Sequence, residues 1–375
     1  MSRLFCHIVK RMAINFFILF ALLYFLGAVI DIIVNLDEFD KAAALISKDN
    51  GILSRVVALL KISIDYEGPR LFQVFAYLHG MIAVGAMAFT ASAMWKSSEF
   101  TAMMSAGISL RKVTIPFLFV TLFISILALG NQEYVLPKVA PSLLLSHNES
   151  GQKHAIEFSV PFTPDKSGSL LIAPLLNTQQ GELTEPSFLE RDEKGRMVRQ
   201  IQAESAIWDK TSNEGWILKK GRSVNISFDE QTDLVAISSP VELDFYGTEL
   251  SPQLLTLHRY SQFIGMLGIS QLNDMLDSAG TFDAPLLRRH WYSRFASILL
   301  NLMAMVIVIP LFVTRDLVVF SKQAVICGGI SIVTLFGGAV FMLMPIDGIP
   351  SIVSVFLPIL VLLPIALLRL VGIKT

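Results

Sequence analysis

Charge is scarce in this sequence. Asp, Glu, Lys and Arg make up 16% of its 375 residues, where a soluble domain carries about a quarter. The shortage is local. Residues 1–134 and 290–375 contain long runs that are nearly charge-free, whereas 147–250 has an ordinary soluble composition. Together with 53% hydrophobic residues and a mean hydropathy of +0.59, this excludes a wholly soluble chain and implies a membrane protein with an extramembrane module. A formal net charge of −1 leaves no basic excess for nucleic acid, so no nucleic-acid partner is expected. Only two cysteines occur, Cys6 before the first apolar run and Cys327 inside a later one. They imply neither a disulfide nor a metal site.

Recognisable chemistry is missing too. The sequence has no phosphate-binding glycine loop ending in Lys-Ser/Thr and no dinucleotide fingerprint. His7, His79, His147, His154, His258 and His290 never form a helical metal pair with a glutamate between them. No Ser/His/Asp set is localised enough to name a nucleophile. Asp31 and Glu133 are the acids read as intramembrane; both lie near span ends and read as interfacial. No catalytic residue, cofactor or enzyme activity is therefore expected, and energy for any transport must come from a partner.

What is present is hydrophobic length. Six runs reach the roughly 20 residues that cross a bilayer: Met12–Val34, Leu71–Met94, Val113–Tyr134, Ser293–Val313, Gln323–Met344 and Ile349–Leu370. The first is longer than a signal-peptide core, and no small-residue cleavage site closes it, so it reads as a retained helix. Gln73, Tyr77 and His79 should turn the second span's polar side toward other helices. Pro116 is expected in the first turn of its span, and Pro310, Pro358 and Pro364 further inside theirs.

Between spans three and four the grammar changes. Candidate strands are His154–Val160, Ser169–Ala173, Glu182–Glu190, Arg196–Trp208, Gly215–Lys220, Ser223–Asp229 and Asp233–Leu243. Turn signals at 165–168, 192–195 and 212–215 separate several of them. Such spacing predicts a sandwich or jelly roll, followed by a helical or mixed connector over 254–278. The expected fold is a polytopic α-helical membrane protein, six spans as three plus three, with an inserted all-β jellyroll-like domain. The expected domains are 1–134 (spans one to three, with a loop helix at 97–109), 135–285 (β domain) and 286–375 (spans four to six). Lys and Arg near the span ends favour a cytoplasmic N-terminus and an outer β domain, although Lys138, Arg288, Arg289 and Arg294 flank spans on the outer side.

The loop between spans two and three stands out. Phe100, Met103, Met104, Gly107 and Ile108 fall on one helical face. Ser97 or Ser98 is placed to cap the start, and Glu99 occupies the first turn. Gly107 suits a C-terminal stop or a close helix contact. Two homes suit the Phe/Met face: the bilayer interface or a groove on a soluble partner.

The run Ser98-Glu99-Phe100-Thr101-Ala102-Met103-Met104-Ser105-Ala106-Gly107-Ile108-Ser109 resembles the signature of lipopolysaccharide-export permeases, the LptF/LptG family. Glu133-Tyr134-Val135-Leu136-Pro137 is similar to that family's exit from span three. Ala206-Ile207-Trp208-Asp209 with Gly215-Trp216-Ile217-Leu218 is similar to its Trp-containing strand pair. Gly348-Ile349-Pro350 before the last span looks closer to LptG. The resemblance implies a permease subunit of an ABC transporter that extracts lipopolysaccharide from the bacterial inner membrane and passes it to a periplasmic β-jellyroll bridge. It implies three partners: a cytoplasmic LptB-like ATPase dimer that binds the ATP, a second permease, and a single-span LptC-like jellyroll protein. It further implies ATPase coupling through Glu99, Phe100, Met103, Met104, Gly107 and Ile108.

In this family spans one and five form the lipid gate, here Phe25, Leu26, Val29 and Ile32 with Phe336, Val340, Phe341 and Met344. Headgroup phosphates need cations; the candidates are Lys138, Arg288, Arg289 and Arg294, each of which could equally anchor a span end. The sequence departs from the LptG pattern at Asp31, where those proteins carry a basic residue. The alternatives from other classes are a non-transporting scaffold and a mechanotransmitting ABC subunit with a periplasmic partner-binding domain.

Overall fold

The computed structural model describes residues 2–46, 52–143, 157–165, 167–178, 180–192, 195–209, 215–228, 235–252, 254–256, 261–277, 283–314, 320–346 and 348–372. The expected start of the first strand at His154 and most of the turn at 212–215 lie outside them. The chain divides into two compact units, 1–150 with 285–375, and 151–284. Residues 135–150 thus go with the membrane unit. The helix of span three runs past Tyr134, through a π turn at Asn131–Val135 and into Leu136–Leu143.

Among the described residues, six helices are long and apolar enough to cross a membrane: Arg3–Val34, Ser54–Lys96, Leu110–Ala140, Ala284–Phe312, Ser321–Leu343 and Ser351–Val371. They are spans one to six, and each contains most of a run read from the sequence. They alternate in direction. Trp95 Nε1, late in span two, donates to the Phe312 carbonyl at the end of span four (2.7 Å). Arg111, early in span three, donates to the Val371 carbonyl at the end of span six (2.9 Å). At the opposite ends Arg70 of span two meets Asp31 of span one at 3.0 Å.

Spans two, three and four form the packed centre, and spans one, five and six are more open. Small residues let the centre close up. Ala83, Ala86 and Ala91 are buried in span two. A Cβ on Gly80 would sit 2.4 Å from Asn301 Oδ1 of span four, and one on Gly338 would sit 2.8 Å from Leu300 Cδ1. Gly338 thus marks a close approach of spans four and five, while its neighbour Gly337 faces open space.

Two prolines correct the sequence reading. Span three's helix starts at Leu110, so Pro116 lies inside it and not in its first turn. Although an interior proline ordinarily breaks a helix, the second span, expected from Leu71, is part of one 45-residue helix that runs from Ile52 to Lys96 through Pro69. At about 1.5 Å per residue this is about 67 Å long, more than twice the hydrocarbon thickness. Local packing supports the extension. A short helix, Leu36–Ile46, lays Phe39 against Ile62 and Tyr66, Arg55 Nε donates to Asp40 at 2.8 Å, and the Arg70 guanidinium lies 3.7 Å from the Tyr66 ring centre.

The second unit is antiparallel throughout. Its strands are β1 (Glu157–Pro164), β2 (Leu170–Asn177), β3 (Glu182–Thr184), β4 (Ser187–Arg191), β5 (Met197–Gln202), β6 (Ser205–Asp209), β7 (Gly215–Lys219), β8 (Arg222–Phe228), β9 (Val235–Ile237), β10 (Val241–Glu242) and β11 (Phe245–Gly247). β1 covers one edge of β2; β4 and β3 share the other. From there β4–β5–β8 and β3–β6–β7–β11 run as two half-sheets.

The pairs β3/β4, β5/β6, β7/β8 and β10/β11 are long strands bent once. The bends adjoin one another: the Glu185 amide donates to the Glu204 carbonyl, that of Glu204 to Lys219, and that of Leu243 to Gly221 (3.0–3.1 Å). Glu185 and Lys220 take left-handed backbone there (φ 47° and 53°). A side chain on Gly221 would meet the Leu243 carbonyl at 2.1 Å. The halves enclose one core, in which the Phe188 ring of β4 lies 4.3 Å from the Tyr246 ring of β11. Trp216 is wholly buried and donates Nε1 to the Leu250 carbonyl at 3.0 Å.

Candidate functional site

The site lies in the membrane unit and begins at the loop helix, Glu99–Ser105. Its end is as read. Gly107 has φ +71°, and the amides of Gly107 and Ile108 close back onto the carbonyls of Met104 and Met103 at 3.0 and 2.9 Å. Its start is not. Ser98 precedes the helix in left-handed backbone and makes no side-chain cap; Ser97 Oγ donates to Glu99 Oε1 instead, at 2.7 Å.

The Phe/Met face also turns the opposite way from the expected exposure. Phe100 is fully buried 5.3 Å from the Trp95 ring, Met103 is buried, and Met104 and Ile108 pack against the same core. An amphipathic period locates an apolar face but not what covers it, and here spans of the same chain do. Outward lie Thr101, Ala102, Ser105, Ala106 and Gly107. Glu99 points to span one, accepting from Arg11 Nη1 at 2.7 Å, with His7 Nε2 at 3.6 Å. Burial alone would raise its carboxyl, but the Ser97 and Arg11 hydrogen bonds, with the Arg11 and His7 charges, hold it below the usual carboxylate range.

Among the gate residues, Phe25 (63% exposed), Leu26 and Val29 of span one face outward, as do Phe336, Val340 (64% exposed) and Met344 of span five. Phe336, Val340 and Met344 recur every fourth residue and so share one face. Two residues depart from the gate. Ile32 packs on the Phe39–Ile62–Tyr66 cluster, and Phe341 borders a hollow shared with Leu357, Pro358, Val361 and Leu362 of span six.

Among the basic residues, Lys138 and Arg288 are exposed. Arg289 is buried, with an Nε that has no hydrogen-bond partner. Arg294 is 3% exposed and donates to Glu133 at 2.9 Å, so its charge is neutralised inside the protein. The interfacial acids are thus ion-paired, Glu133 to Arg294 and Asp31 to Arg70. Glu67 is a further acid on the span-two helix that sequence reasoning missed, buried with its Oε1 3.6 Å from Arg70. Reading the helix through Pro69 would have found it.

A cavity of about 310 Å³ opens between spans two, three, four and five, with Tyr77, His79, Gln132, Arg294 and Asn301 among its lining. His79 Nδ1 donates to the Ala76 carbonyl at 2.9 Å, leaving Nε2 to accept from Asn301 Nδ2 at 2.9 Å. Asn301 also reaches Ser125 Oγ at 3.2 Å. His79 therefore faces other helices as expected, whereas Tyr77 is exposed beside the cavity. Asn301 carried no signal in the sequence beyond being a lone amide in an apolar run.

Six helices fit to cross a membrane and an inserted antiparallel β domain define the class, a multi-pass membrane protein. A family model, lipopolysaccharide export system permease LptF/LptG, matches residues 68–371. The chain belongs to that family. The match covers well over half of the chain and does not by itself separate the LptF and LptG members. A search of curated protein sequences finds no match to it.

Proposed function

We propose that this chain is one of two permease subunits that lift lipopolysaccharide out of the bacterial inner membrane. The observation that carries the reading is the outward apolar face of the two spans that gate lipid in this family, Phe25, Leu26 and Val29 with Phe336, Val340 and Met344. A lipid with several acyl chains gains about 0.8 kcal/mol for each CH₂ taken from water, so a wall of large, flexible side chains suits it. A second permease placed across these spans would complete the lateral opening. Lys138 and Arg288, the exposed cations, would meet headgroup phosphates.

In this reading the N-terminus is cytoplasmic and the bent β domain is periplasmic. That domain acts as a jellyroll-like platform that receives lipid and contacts an LptC-like single-span protein. ATP is bound and hydrolysed by a separate LptB-like dimer, not by this chain. The dimer docks on the outward side of the loop helix, Thr101, Ala102, Ser105 and Ala106. The LptG slot is favoured by Gly348-Ile349-Pro350.

The test is reconstitution. The chain is co-expressed with an ATPase and a second permease of its family and placed in proteoliposomes holding lipopolysaccharide. ATP should drive lipopolysaccharide onto an added periplasmic jellyroll acceptor. Hydrolysis without any such transfer would refute the reading in favour of a mechanotransmitting subunit, and failure to retain an ATPase would leave a scaffold.

A further inference from the structure

Span one is the least buried of the six, and discrete polar ties hold it. Asn15 Nδ2 donates to Thr90 Oγ1 at 2.8 Å, the Tyr24 hydroxyl to the Glu67 carbonyl at 2.9 Å, and Arg70 to Asp31 at 3.0 Å. All three lead to span two. The Arg11–Glu99 bridge at 2.7 Å leads to the loop helix. Beside it lies an apolar cavity of about 420 Å³ lined by Leu4, Phe5 and Ile8 of span one with Ile108 and Val113, of which Ile8 and Val113 are themselves buried in the core. Glu99 is set for this pairing from both sides, since Ser97 fixes the oxygen that Arg11 takes, and His7, four residues before Arg11, approaches the other. The apolar face of the loop helix is meanwhile occupied by Trp95 and the core.

We infer that Arg11 and Glu99 form a latch that makes the start of span one move with the loop helix, and that Glu99 is a positioning residue acting through Arg11. The inference rests on the permease reading above and deepens it. A push on the outward side of the loop helix would reach span two through Phe100 and span one through Glu99. Span one carries Phe25 and Val29, so the latch delivers that push to the lipid-facing wall. It is a charged pair on a partly exposed surface, about 30% exposed on either side, and so can open and re-form during a cycle.

The experiment is a charge swap in the full chain: Arg11→Glu, Glu99→Arg, and both together. It is read in cells that depend on this chain for lipopolysaccharide export, with ATPase retention measured by co-purification. Arg11→Glu should lower the lipopolysaccharide exported per ATP hydrolysed at least about fivefold, in line with measured couplings between contacting residues, while the ATPase stays bound, and Glu99→Arg should lower that ratio as far. The double swap should restore that ratio, because the pair re-forms with its charges exchanged. A merely structural contact would lower protein level and hydrolysis together without changing their ratio.

Loss of the ATPase in Glu99→Arg, unrescued by Arg11→Glu, would overturn the latch and make Glu99 a partner contact. Unchanged export in both single variants would overturn it as well. If the unsubstituted chain exports no lipopolysaccharide, the permease reading fails separately. The latch is then judged by disulfide formation between Arg11→Cys and Glu99→Cys in membranes under mild oxidation, where ready closure supports the pairing and no closure overturns it.

Discussion

Arg294 of span four donates to Glu133 of span three at 2.9 Å, with the arginine side chain almost completely enclosed. The two residues are 161 positions apart, so the pair ties the first three spans to the last three. Removing one member of a buried pair leaves an uncompensated charge and costs about 3–5 kcal/mol. Glu133→Gln should therefore lower the thermal midpoint of the detergent-purified protein sharply. The apolar pair Glu133→Leu with Arg294→Met should recover most of the loss. If the single change is silent, the pair is not buried as described.

Gly80 lets span two approach Asn301 of span four closely. Gly80→Ala places its methyl against the Asn301 amide, which must swing away and give up His79 and Ser125. Overpacking of this kind costs about 1–3 kcal/mol. Combining Gly80→Ala with Asn301→Ala removes the obstacle, so the double variant should be more stable than the sum of the singles predicts. Strict additivity would contradict the contact.

Sidedness has a built-in control. Cys6 is exposed and Cys327 is buried, and Val198 on the β domain is exposed. With Cys6→Ser in place, Val198→Cys should react with an impermeant thiol reagent in intact spheroplasts. In the parent chain Cys6 should react only after lysis. The reverse pattern would place the β domain in the cytoplasm.

The spans were legible because hydrophobic length is a one-dimensional property, and so was the loop-helix stop at Gly107, where a residue free of Cβ was needed at φ +71°. Other features depended on partners distant in sequence. The signature at 98–109 located the loop helix, but of the two homes expected for its apolar face, the bilayer interface and a partner groove, neither covers Phe100, which packs on Trp95 and the chain's own core. Glu99 read as a helix-dipole acid until Arg11, 88 residues away, was placed beside it. The runs Glu182–Glu190 and Arg196–Trp208 were read as single strands: Pro186 in the first bend was a break signal passed over, whereas the second bend, at Ala203-Glu204, carries neither Gly nor Pro. The extension of the second span's helix back to Ile52 was not legible either, since it depends on the packing of Phe39 against Ile62 and Tyr66.

The central claim is that spans one and five present lipopolysaccharide with a wall that moves when ATP is used. Photo-cross-linking side chains at Phe25 and Val340, both outward, compare directly with one at Leu363 on span six. In membranes holding the assembled transporter, the first two positions should capture lipopolysaccharide well above the third, and ATP should change their yields. Equal capture at all three positions, unaffected by ATP, would mean that these faces meet only bulk lipid and would contradict the account.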